Sequence, residues 1–387
     1  EVKRILPKIN EDINEEWISD KTRYACDGLK NQRLDTPYFK EGDEFKKISW
    51  KNAYEILVKK INKTSAEKIA CFTGDLTNME TMYVAKEFFD KTIKSKNLEC
   101  RSDHIYINNN IRSNYIFNSK INGIEESDLI VLIGTNPRYE ATILNARIRK
   151  SFLKNKTEIY SLGDVGDLTY PYKVLSNSTK IIREICENNH AVSNKIINAK
   201  KPMIIIGQSA LKLKSGKYIF ENIKNFLVSK KKINDEWNSL NIISESASTV
   251  GGYDLDLLSS NNGKNIVLDE IQKNNFEVIF LLGEDNINFK KQNEFIIYIG
   301  SHGDRGAEFA DLILPGATYT EQDGYYTNLE GKIQKAFQAS YPPGEAKEDW
   351  SILNDLSELL KRKKIFKNKD ELINSLMNYL NLKKNNK

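Results

Sequence analysis

Four apolar strand-like segments that each end in glycine constrain the fold of this chain more than any other feature. In doubly wound α/β folds the ligand crevice lies beyond the carboxyl ends of the strands, and glycine there lets the backbone approach a phosphate or a neighbouring loop. Glycine is also an ordinary turn residue, but its recurrence at corresponding places predicts a crevice of the nucleotide-binding kind, occupied or vestigial. The four strand ends are Ile133-Gly134, Ile206-Gly207, Leu282-Gly283 and Ile299-Gly300.

Helical and strand-like segments alternate from about Ser49 onward. Strands that alternate with helices predict a mainly parallel sheet with helices on both faces, so the fold class is α/β. None of the glycine-ended strands continues with the spacing G-x-G-x-x-G, which argues against a standard NAD fingerprint. The predicted helices are Trp50 to Ile61, Met79 to Phe89, Tyr139 to Phe152, Asp349 to Leu360 and Asp370 to Leu382; the predicted strands are Lys68 to Phe72, Ser127 to Ile133, Glu158 to Ser161, Pro202 to Ile206, Val278 to Leu282 and Phe295 to Ile299.

Length and composition indicate an ordinary globular protein of two or three structural units. The chain has 387 residues, of which 40% are hydrophobic and 29% charged, and no run approaches the roughly 18 to 20 apolar residues of a membrane-spanning helix. The net charge of +5 is modest, and the lysine clusters of the chain lie among Asn, Glu and Leu rather than aromatic residues. We therefore expect solvated helix faces, with acidic neighbours in an assembly or a membrane surface as the alternative, and neither a nucleic-acid partner nor a direct membrane span.

The four cysteines argue against redox centres in this chain. Cys26, Cys71, Cys100 and Cys186 are scattered, without a C-x-x-C pair or a cluster with histidine at ligand spacing. Iron–sulfur clusters usually need four thiolates brought together. The sequence therefore predicts no metal ligand and no disulfide framework.

The stretch Tyr298 to Gln334 reads YIGSHGDRGAEFADLILPGATYTEQDGYYTNLEGKIQ. It resembles the signature of the molybdopterin oxidoreductase superfamily, in which an ADLILP strand is followed by a loop of the form E..G...N.EG..Q. Residue by residue, this stretch is most similar to the large iron–sulfur subunit of respiratory complex I, of the 75 kDa type. The resemblance implies two Rossmann-like, doubly wound lobes with mainly parallel sheets.

Further segments extend the resemblance over nearly the whole chain: INEEWISDKTRYACDGLKNQRL, LIVLIGTNPRYEATILNARIRKSF and PPGEAKEDWSILNDLSELL. The chain has no initiator Met, so by resemblance the cluster-binding half would lie before residue 1, either trimmed away or encoded separately. The implied units are a connecting segment from that half at 1–47, a discontinuous first lobe at 48–120 plus 201–350, an inserted second lobe at 121–200, and C-terminal helices at 351–387.

The resemblance also says where a pterin enzyme would hold its metal, and the residues there are a poor match. Cys100 and His104 fall in that region, but in a bulky, polar setting without glycines, so a buried or surface thiol is the favoured interpretation of Cys100. The family's enzymes usually carry a further β-barrel domain beyond the position of Gln334, whereas this chain continues with one or two helices. We expect no catalytic, cofactor-binding or metal-binding residue.

The candidates for a vestigial crevice come from the strand ends and the signature loop. His302, Asp304 and Arg305 could form a charged site, but a polar turn with Asp-to-backbone hydrogen bonds is favoured. Glu321, Asp323 and Glu330 are interpreted as supports of their loops. The candidates are Gly134, Asn136, Gly207, Gly283, Gly300, His302, Asp304 and Asn328.

By resemblance, the chain would be a structural part of the peripheral arm of complex I, which passes electrons from NADH through FMN and iron–sulfur clusters to ubiquinone. FMN and the clusters would lie on other chains, and the partners would be the cluster-binding half and other arm subunits. The expected location is the matrix side of the mitochondrial inner membrane, or else the cytoplasmic face of a bacterial inner membrane. The alternatives are the catalytic part of a molybdenum or tungsten bis-pterin oxidoreductase and, more weakly, a nucleotide-binding regulatory module.

Overall fold

Two mainly parallel sheets, each covered by helices, organise the chain. A computed structural model describes residues 2–261 and 263–385. One sheet has seven strands and the other has five, and two short hairpins complete the strand inventory of this part of the chain. The predicted α/β fold with two doubly wound lobes is confirmed.

The helices and strands have the following bounds. Helices are α1 (Asp20–Tyr24), α2 (Trp50–Asn62), α3 (Met79–Glu87), α4 (Pro137–Glu140), α5 (Thr142–Asn155), α6 (Ile181–Cys186), α7 (Ala191–Asn198), α8 (Gln208–Leu211), α9 (Gly216–Ser229), α10 (Thr249–Asp254), α11 (Ile266–Gln272), α12 (Arg305–Phe309), α13 (Asp349–Lys361) and α14 (Lys369–Asn385). Strands are β1 (Tyr38–Glu41), β2 (Glu44–Lys47), β3 (Ile69–Thr73), β4 (Leu98–Glu99), β5 (Leu129–Ile133), β6 (Glu158–Leu162), β7 (Lys173–Ser176), β8 (Pro202–Ile206), β9 (Leu240–Ile242), β10 (Ser260–Asn261), β11 (Lys264–Asn265), β12 (Val278–Leu282), β13 (Phe295–Gly300), β14 (Leu312–Pro315), β15 (Gly324–Thr327) and β16 (Ile333–Ala336). Short 3₁₀ helices occupy Ala25–Lys30, Ala66–Lys68, Arg112–Asn114 and Asn122–Glu126, and a π-helical turn at Phe88–Ile93 continues α3.

The larger sheet has the strand order β2-β1-β14-β13-β12-β3-β4. Strands β4, β3, β12, β13 and β14 are mutually parallel, and β1 and β2 add an antiparallel edge. Counted along the chain, the parallel strands lie in the order 2-1-3-4-5, a common doubly wound arrangement. The order reverses between β3 and β12, so the ligand crevice of such a fold is expected beyond their carboxyl ends.

The five-stranded sheet has the order β7-β6-β5-β8-β9, and all of its strands are parallel. Along the chain this is 3-2-1-4-5, which matches five of the six strands of the dinucleotide-binding order. Its reversal lies between β5 and β8. The chain therefore contains two potential crevices, one in each lobe.

Both faces of the central strands of each sheet are buried, which is why these strands read as continuous apolar runs. In β3, Ile69 and Cys71 pack with α2, α3 and α13, whereas Ala70 and Phe72 face the side covered by α11 and α12. The alternate residues of β5 separate in the same way between two further clusters. This burial favours strands over helices because side chains alternate between two apolar faces.

The unit boundaries differ from the prediction in two places. Strands β8 and β9 pair within the five-stranded sheet, so the predicted return to the first lobe at residue 201 lies too early and β8 belongs to the inserted lobe. A strand buried on both faces reads alike in either sheet, which explains this error. Strands β1 and β2 join the seven-stranded sheet, so the end of the predicted connecting segment 1–47 belongs to the first lobe. Of the predicted terminal units, residues 1, 386 and 387 lie outside the described residues.

Glycine lets two loops meet at each reversal of strand order. Gly74 follows β3, and a Cβ atom there would overlap the carbonyl oxygen of Gly283 after β12. In the other lobe, a Cβ atom at Gly207 would overlap the carbonyl oxygen of Gly134. The backbone N–H groups of Gly74 and Gly207 donate to the neighbouring strands, to Leu282 O and Ile133 O, at 2.9 Å each. Here glycine serves backbone-to-backbone packing.

We expect Gly74→Ala to destabilise the chain by about 1–3 kcal/mol, because the added methyl group must displace the backbone of the β12 loop. The measurement is the midpoint of chemical denaturation followed by circular dichroism. Gly28→Ala is the matched control, since a Cβ atom at Gly28 would have nothing within 4 Å. Equal midpoints for the two variants would contradict a tight loop contact at Gly74.

Candidate functional site

A crevice with a volume of about 460 Å³ lies beyond the carboxyl ends of β3, β12, β13 and β14. Its walls come from the loops that follow these strands and from the 3₁₀ helix Ala25–Lys30. Its position agrees with the ligand crevice of a doubly wound sheet. Four of the predicted crevice residues line it: Gly283, Gly300, His302 and Asp304.

The other four candidates lie elsewhere. Gly134 and Gly207 meet at the strand reversal of the second lobe, and Asn136 lies just after Gly134 in the chain. The Asn136 side chain caps α4 by accepting from the Arg138 N–H at 3.1 Å, and its Nδ2 donates to Val165 O at 2.8 Å. Asn328 belongs to the signature loop, where its Oδ1 accepts from the Lys332 N–H at 2.8 Å. The eight candidates thus occupy three separate places.

Carboxylates dominate the crevice: its lining includes Asp75, Asp285, Asp304 and Asp349. Burial raises the pKa of Asp349 to about 7. Burial also raises the pKa of Asp285, although its Oδ1 accepts a hydrogen bond from the Gly306 N–H at 2.8 Å. Asp349 was predicted only as the first residue of the closing helix, where an acidic side chain is ordinarily a solvated helix-terminal group.

His302 attaches the N-terminal segment to the crevice rim. Its Nε2 lies 3.0 Å from the carbonyl oxygen of Gly28, and its Nδ1 lies 2.9 Å from the Ser301 hydroxyl. The Gly303 N–H donates to Gln32 O at 2.8 Å. Asp304 makes no side-chain cap bond to α12. The loop is a hydrogen-bonded polar turn, but backbone contacts with residues 28–32 take the place of the predicted Asp-to-backbone bonds at Asp304.

Arg33 and Glu321 form a buried, bidentate ion pair at the same rim, which we call the rim clamp. The two guanidinium nitrogens Nη1 and Nη2 lie 2.6 and 2.5 Å from the two carboxylate oxygens, with side-chain exposures of 11% and 5%. Arg33 also donates to Leu29 O at 2.8 Å and to Ser301 O at 3.1 Å. Such a bidentate pair is geometrically specific. No sequence pattern joins these residues, which are 288 positions apart.

The signature loop between β15 and β16, residues 328–332, connects the two lobes through hydrogen bonds. The carbonyl oxygen of Gly331 accepts from Arg112 Nη2 at 2.7 Å, and Arg112 in turn pairs with Asp254 at 2.7 and 2.9 Å. Glu330 Oε2 accepts from the Ile121 N–H at 3.0 Å. Leu329 O accepts from the Phe117 N–H at 2.8 Å. Two backbone carbonyls of this loop and the Glu330 carboxylate are therefore hydrogen-bonded within the protein.

Cys100 lies in packed surroundings. A Cβ atom at Gly252 would lie 2.8 Å from its Sγ, and burial raises the pKa of the thiol well above its usual range. Beside it, Glu99 and Arg101 form an ion pair at 2.7 Å with exposures of 0% and 2%. His104 Nε2 lies 3.9 Å from Asp269 Oδ1. Within residues 2–261 and 263–385, no three His, Cys, Asp or Glu side chains are grouped so that they could hold a metal ion.

Comparison with protein families identifies the fold by sequence. The family model described as molybdopterin oxidoreductase matches residues 33–359. The chain belongs to the molybdopterin oxidoreductase family. A second model, described as the 4Fe-4S domain of NADH-ubiquinone oxidoreductase NDSU1/NuoG-like proteins, matches residues 1–27. The first 47 residues thus overlap two family models.

Within this family, curated relatives at about 40% identity are subunits of NADH-ubiquinone or NADH-quinone oxidoreductase. The 75 kDa subunit of Reclinomonas americana is 41% identical over 94% of this chain and 54% of its own length. The 78 kDa mitochondrial subunit of Candida albicans is 41% identical over 94% and 50%. The matching NADH-quinone oxidoreductase subunit of Rickettsia bellii is 39% identical over 96% and 53%. The chain spans about half the length of the curated relatives it matches.

Solved structures with low sequence identity share the fold. The formyltransferase/hydrolase complex of Methylorubrum extorquens, solved with methylofuran, matches with a TM-score of 0.59 and 11% identity, over 84% of this chain and 99% of that one. Acetylene hydratase of Pelobacter acetylenicus matches with a TM-score of 0.56 and 12% identity, over 96% and 68%. At these identities the likeness concerns the molybdopterin oxidoreductase fold alone.

The described residues do not fit the pterin cofactor that the family name implies. The crevice of the first lobe is lined by the side chains of four Asp residues, whose negative charges would repel phosphate groups, and burial raises the pKa of the Cys100 thiol well above its usual range. A metal-binding thiol would need to be a thiolate. Separately, none of the described helices is both long and apolar enough to span a membrane.

Arg33→Ala should destabilise the chain by about 3–5 kcal/mol, because it leaves the Glu321 carboxylate buried without its partner. The denaturation midpoint measures this effect. Lys46→Ala removes the exposed pair with Glu41, whose side chains are 57% and 53% exposed, and should leave the midpoint unchanged. A loss for Arg33→Ala no larger than for Lys46→Ala would contradict the clamp.

The raised pKa of Asp349 predicts a pH-dependent stability. The pKa in the folded chain, about 7, is above the ordinary value of 3.8, so the folded state binds the proton more tightly. The stabilisation of the fold by this proton is complete below about pH 4. It is lost as the pH rises to about 7, by up to about 1.4 kcal/mol of unfolding free energy per pH unit. In Asp349→Asn the unfolding midpoint should change less with pH between pH 4.5 and 7.5 than it does in the wild type. The exposed control Asp235→Asn should follow the wild-type curve, and an Asp349→Asn curve parallel to it would refute the assignment.

Proposed function

We propose that this chain is a structural portion of the peripheral arm of respiratory complex I. In this role it supports the iron–sulfur chain that carries electrons from NADH to ubiquinone, and other chains hold FMN and the clusters. The single observation that carries the proposal is the match at about 40% identity, over 94–96% of this chain, to subunits of NADH-ubiquinone and NADH-quinone oxidoreductases.

The use of polar side chains within the fold supports a structural role. Arg33 and Glu321 are committed to the rim clamp, and Arg112 and Asp254 to the contact between lobes. A catalytic group must instead be free to contact a substrate. The residues with the strongest polar contacts thus stabilise the arrangement of the lobes and of the segment that precedes them.

Large exposed apolar side chains offer contact surfaces for neighbouring subunits. Trp17 is 57% exposed, Tyr139 is 78% exposed and Tyr341 is 86% exposed. Aromatic residues are enriched where protein interfaces form. We assign the first partner to the iron–sulfur region, because residues 1–27 match its family model and contain Trp17. The remaining partners are other subunits of the peripheral arm.

The relatives' names support a location on an energy-coupling membrane. Two of the matched relatives from fungi are named as mitochondrial, and one is from the bacterium Rickettsia bellii. We assign the chain to the matrix side of the mitochondrial inner membrane. The alternative location is the cytoplasmic face of a bacterial inner membrane.

The competing function is the catalytic part of a molybdenum or tungsten bis-pterin oxidoreductase. Membership of the molybdopterin oxidoreductase family favours it. The packing of Cys100 and the carboxylates of the crevice weigh against it, because neither provides a thiolate ligand or a cradle for phosphate. Metal content therefore distinguishes the two functions.

Native purification tests the proposal. When the chain is isolated from its organism in mild detergent, NADH-oxidising activity and FMN should co-purify with it, and molybdenum and tungsten should each be far below one atom per chain. The measurements are NADH–ubiquinone turnover, flavin fluorescence and elemental analysis. A parallel preparation in dissociating detergent should lose the activity while keeping the chain. Isolation of the chain without NADH-oxidising subunits, but with stoichiometric molybdenum, would instead establish the competing function.

A further inference from the structure

A segment near the start of the chain, residues 10–34, contacts both lobes. Its first part is a closed loop, because the N–H groups of Asn10 and Glu15 each donate to the other's carbonyl oxygen, at 2.9 and 2.7 Å. Glu15 has a φ of 51°, in the left-handed region, and a residue other than glycine keeps this conformation only where its surroundings hold it. Its carboxylate pairs with Lys150 of α5. The loop therefore has a fixed conformation against the second lobe.

Arg147 is the main attachment of this loop to the second lobe. It lies on α5, and its side chain is only 4% exposed. Its Nε donates to Ile13 O at 3.0 Å, and its Nη2 donates to Glu11 O at 2.5 Å. Its Nη1 pairs with Glu125 Oε1 at 2.5 Å. Ile13 also packs against the apolar cluster of this lobe. One planar guanidinium thus binds the loop and its own lobe at the same time.

The other end of the segment is attached to the first lobe by the rim clamp. Arg33 and Glu321 form its two hydrogen bonds, at 2.6 and 2.5 Å. Next in the chain, the Leu34 N–H donates to Ser301 O at 3.0 Å, and the Leu34 side chain is buried in an apolar cluster of the seven-stranded sheet. The two arginines therefore hold opposite ends of one segment on different lobes.

We propose that residues 10–34 act as a brace that fixes the relative orientation of the two lobes, with Arg33 and Arg147 as its positioning residues. The chain itself crosses between the lobes in the stretch from β4 to β5 and again in the stretch from β9 to β12. Lobes joined by such connections are expected to move relative to each other unless further contacts prevent it. The brace supplies a connection that is separate from both crossings.

The brace overlaps residues 1–27, which match the 4Fe-4S domain model. Within the proposed function, it therefore positions the iron–sulfur region relative to both lobes rather than to one. That consequence rests on the proposed function, whereas the brace itself rests on contacts within this chain. A failure of the brace would leave the co-purification with NADH-oxidising subunits unaffected, so the two ideas can be tested separately.

Pulsed electron paramagnetic resonance on the full 387-residue chain tests the brace. One nitroxide label is attached at Lys273→Cys on the first lobe and the other at Asp235→Cys on the second lobe, since both positions are exposed. Cys100→Ala and Cys186→Ala remove the two native thiols that are not fully buried. The measured quantity is the distribution of distances between the labels, which reports the relative orientation of the lobes in the folded chain.

Release of either end of the brace should broaden this distribution. Arg147→Met and Arg33→Met should each broaden it by about 2 Å or more, the size of ordinary domain rearrangements. Arg147→Lys keeps the charge without the planar fork, so it should broaden the distribution less than Arg147→Met does. The matched controls are Arg149→Met, exposed on the same helix, and Lys46→Met, exposed at the sheet edge. Both should leave the distribution unchanged.

The double variant Arg33→Met/Arg147→Met distinguishes a brace from two local supports. A brace released at one end no longer links the lobes, so the second substitution should add no further broadening. Two independent supports would instead add their effects. Additive broadening, or no broadening in either single variant, would overturn the inference.

Circular dichroism checks that each variant is folded at the temperature of the measurement. Arg33→Lys replaces Arg33→Met if the latter does not fold, because it keeps a charge opposite Glu321 but loses the bidentate geometry. Its expected broadening is then smaller, and the same absence of additivity with Arg147→Met is required. Broadening by Arg149→Met equal to that by Arg147→Met would also contradict the brace.

Discussion

The contact between two glycine loops at the reversal of strand order is the constraint on which the rest of this structure depends. Gly74 and Gly283 bring the ends of β3 and β12 so close that no side chain can lie between them. The same contact recurs between Gly134 and Gly207 in the second lobe. A doubly wound sheet ordinarily opens at this point to admit a ligand. Here the loops touch at the two glycines of the first lobe, and the residues that follow that contact, together with the loop after β13, line the open volume.

The residues around that volume show how a signature can persist while its chemistry changes. In the loop between β15 and β16, Asn328 and Glu330 bond to backbone groups. The preceding Glu321 forms two hydrogen bonds with Arg33. These bonds fix the segment between residues 1–27, which match the 4Fe-4S domain model, and the first lobe. Side chains that could contact a cofactor instead form hydrogen bonds within the chain: Glu321 bonds to Arg33 before the first lobe, and Glu330 bonds to the Ile121 N–H. This accounts for a molybdopterin oxidoreductase fold whose described residues do not fit the pterin.

Much of the fold could be predicted because local and tertiary preferences agree. Strands Pro202–Ile206 and Val278–Leu282 have the predicted bounds, since β-rich apolar runs closed by glycine have few alternatives. Strands β1 and β2 were missed because their sequences, YFKE and EFKK, are polar and lie at a sheet edge. Four of the eight crevice candidates meet in one place, but the sequence offered no signal for Arg33 with Glu321 or for the burial of Asp349. Those features arise from contacts between residues far apart in the chain, which periodicity does not report.

The pairing of β3 with β12 has a consequence for synthesis on the ribosome. Ile69 lies opposite Val278, and the whole five-stranded sheet, from Leu129 to Ile242, is encoded between them. The inserted lobe can therefore complete its sheet while the centre of the first lobe still lacks a neighbour. Until β12 emerges, the apolar strand β3 has no parallel partner on that side, and exposed strand edges of this kind favour aggregation. That edge of β3 therefore stays unpaired while the inserted lobe and the chain up to residue 278 are synthesised.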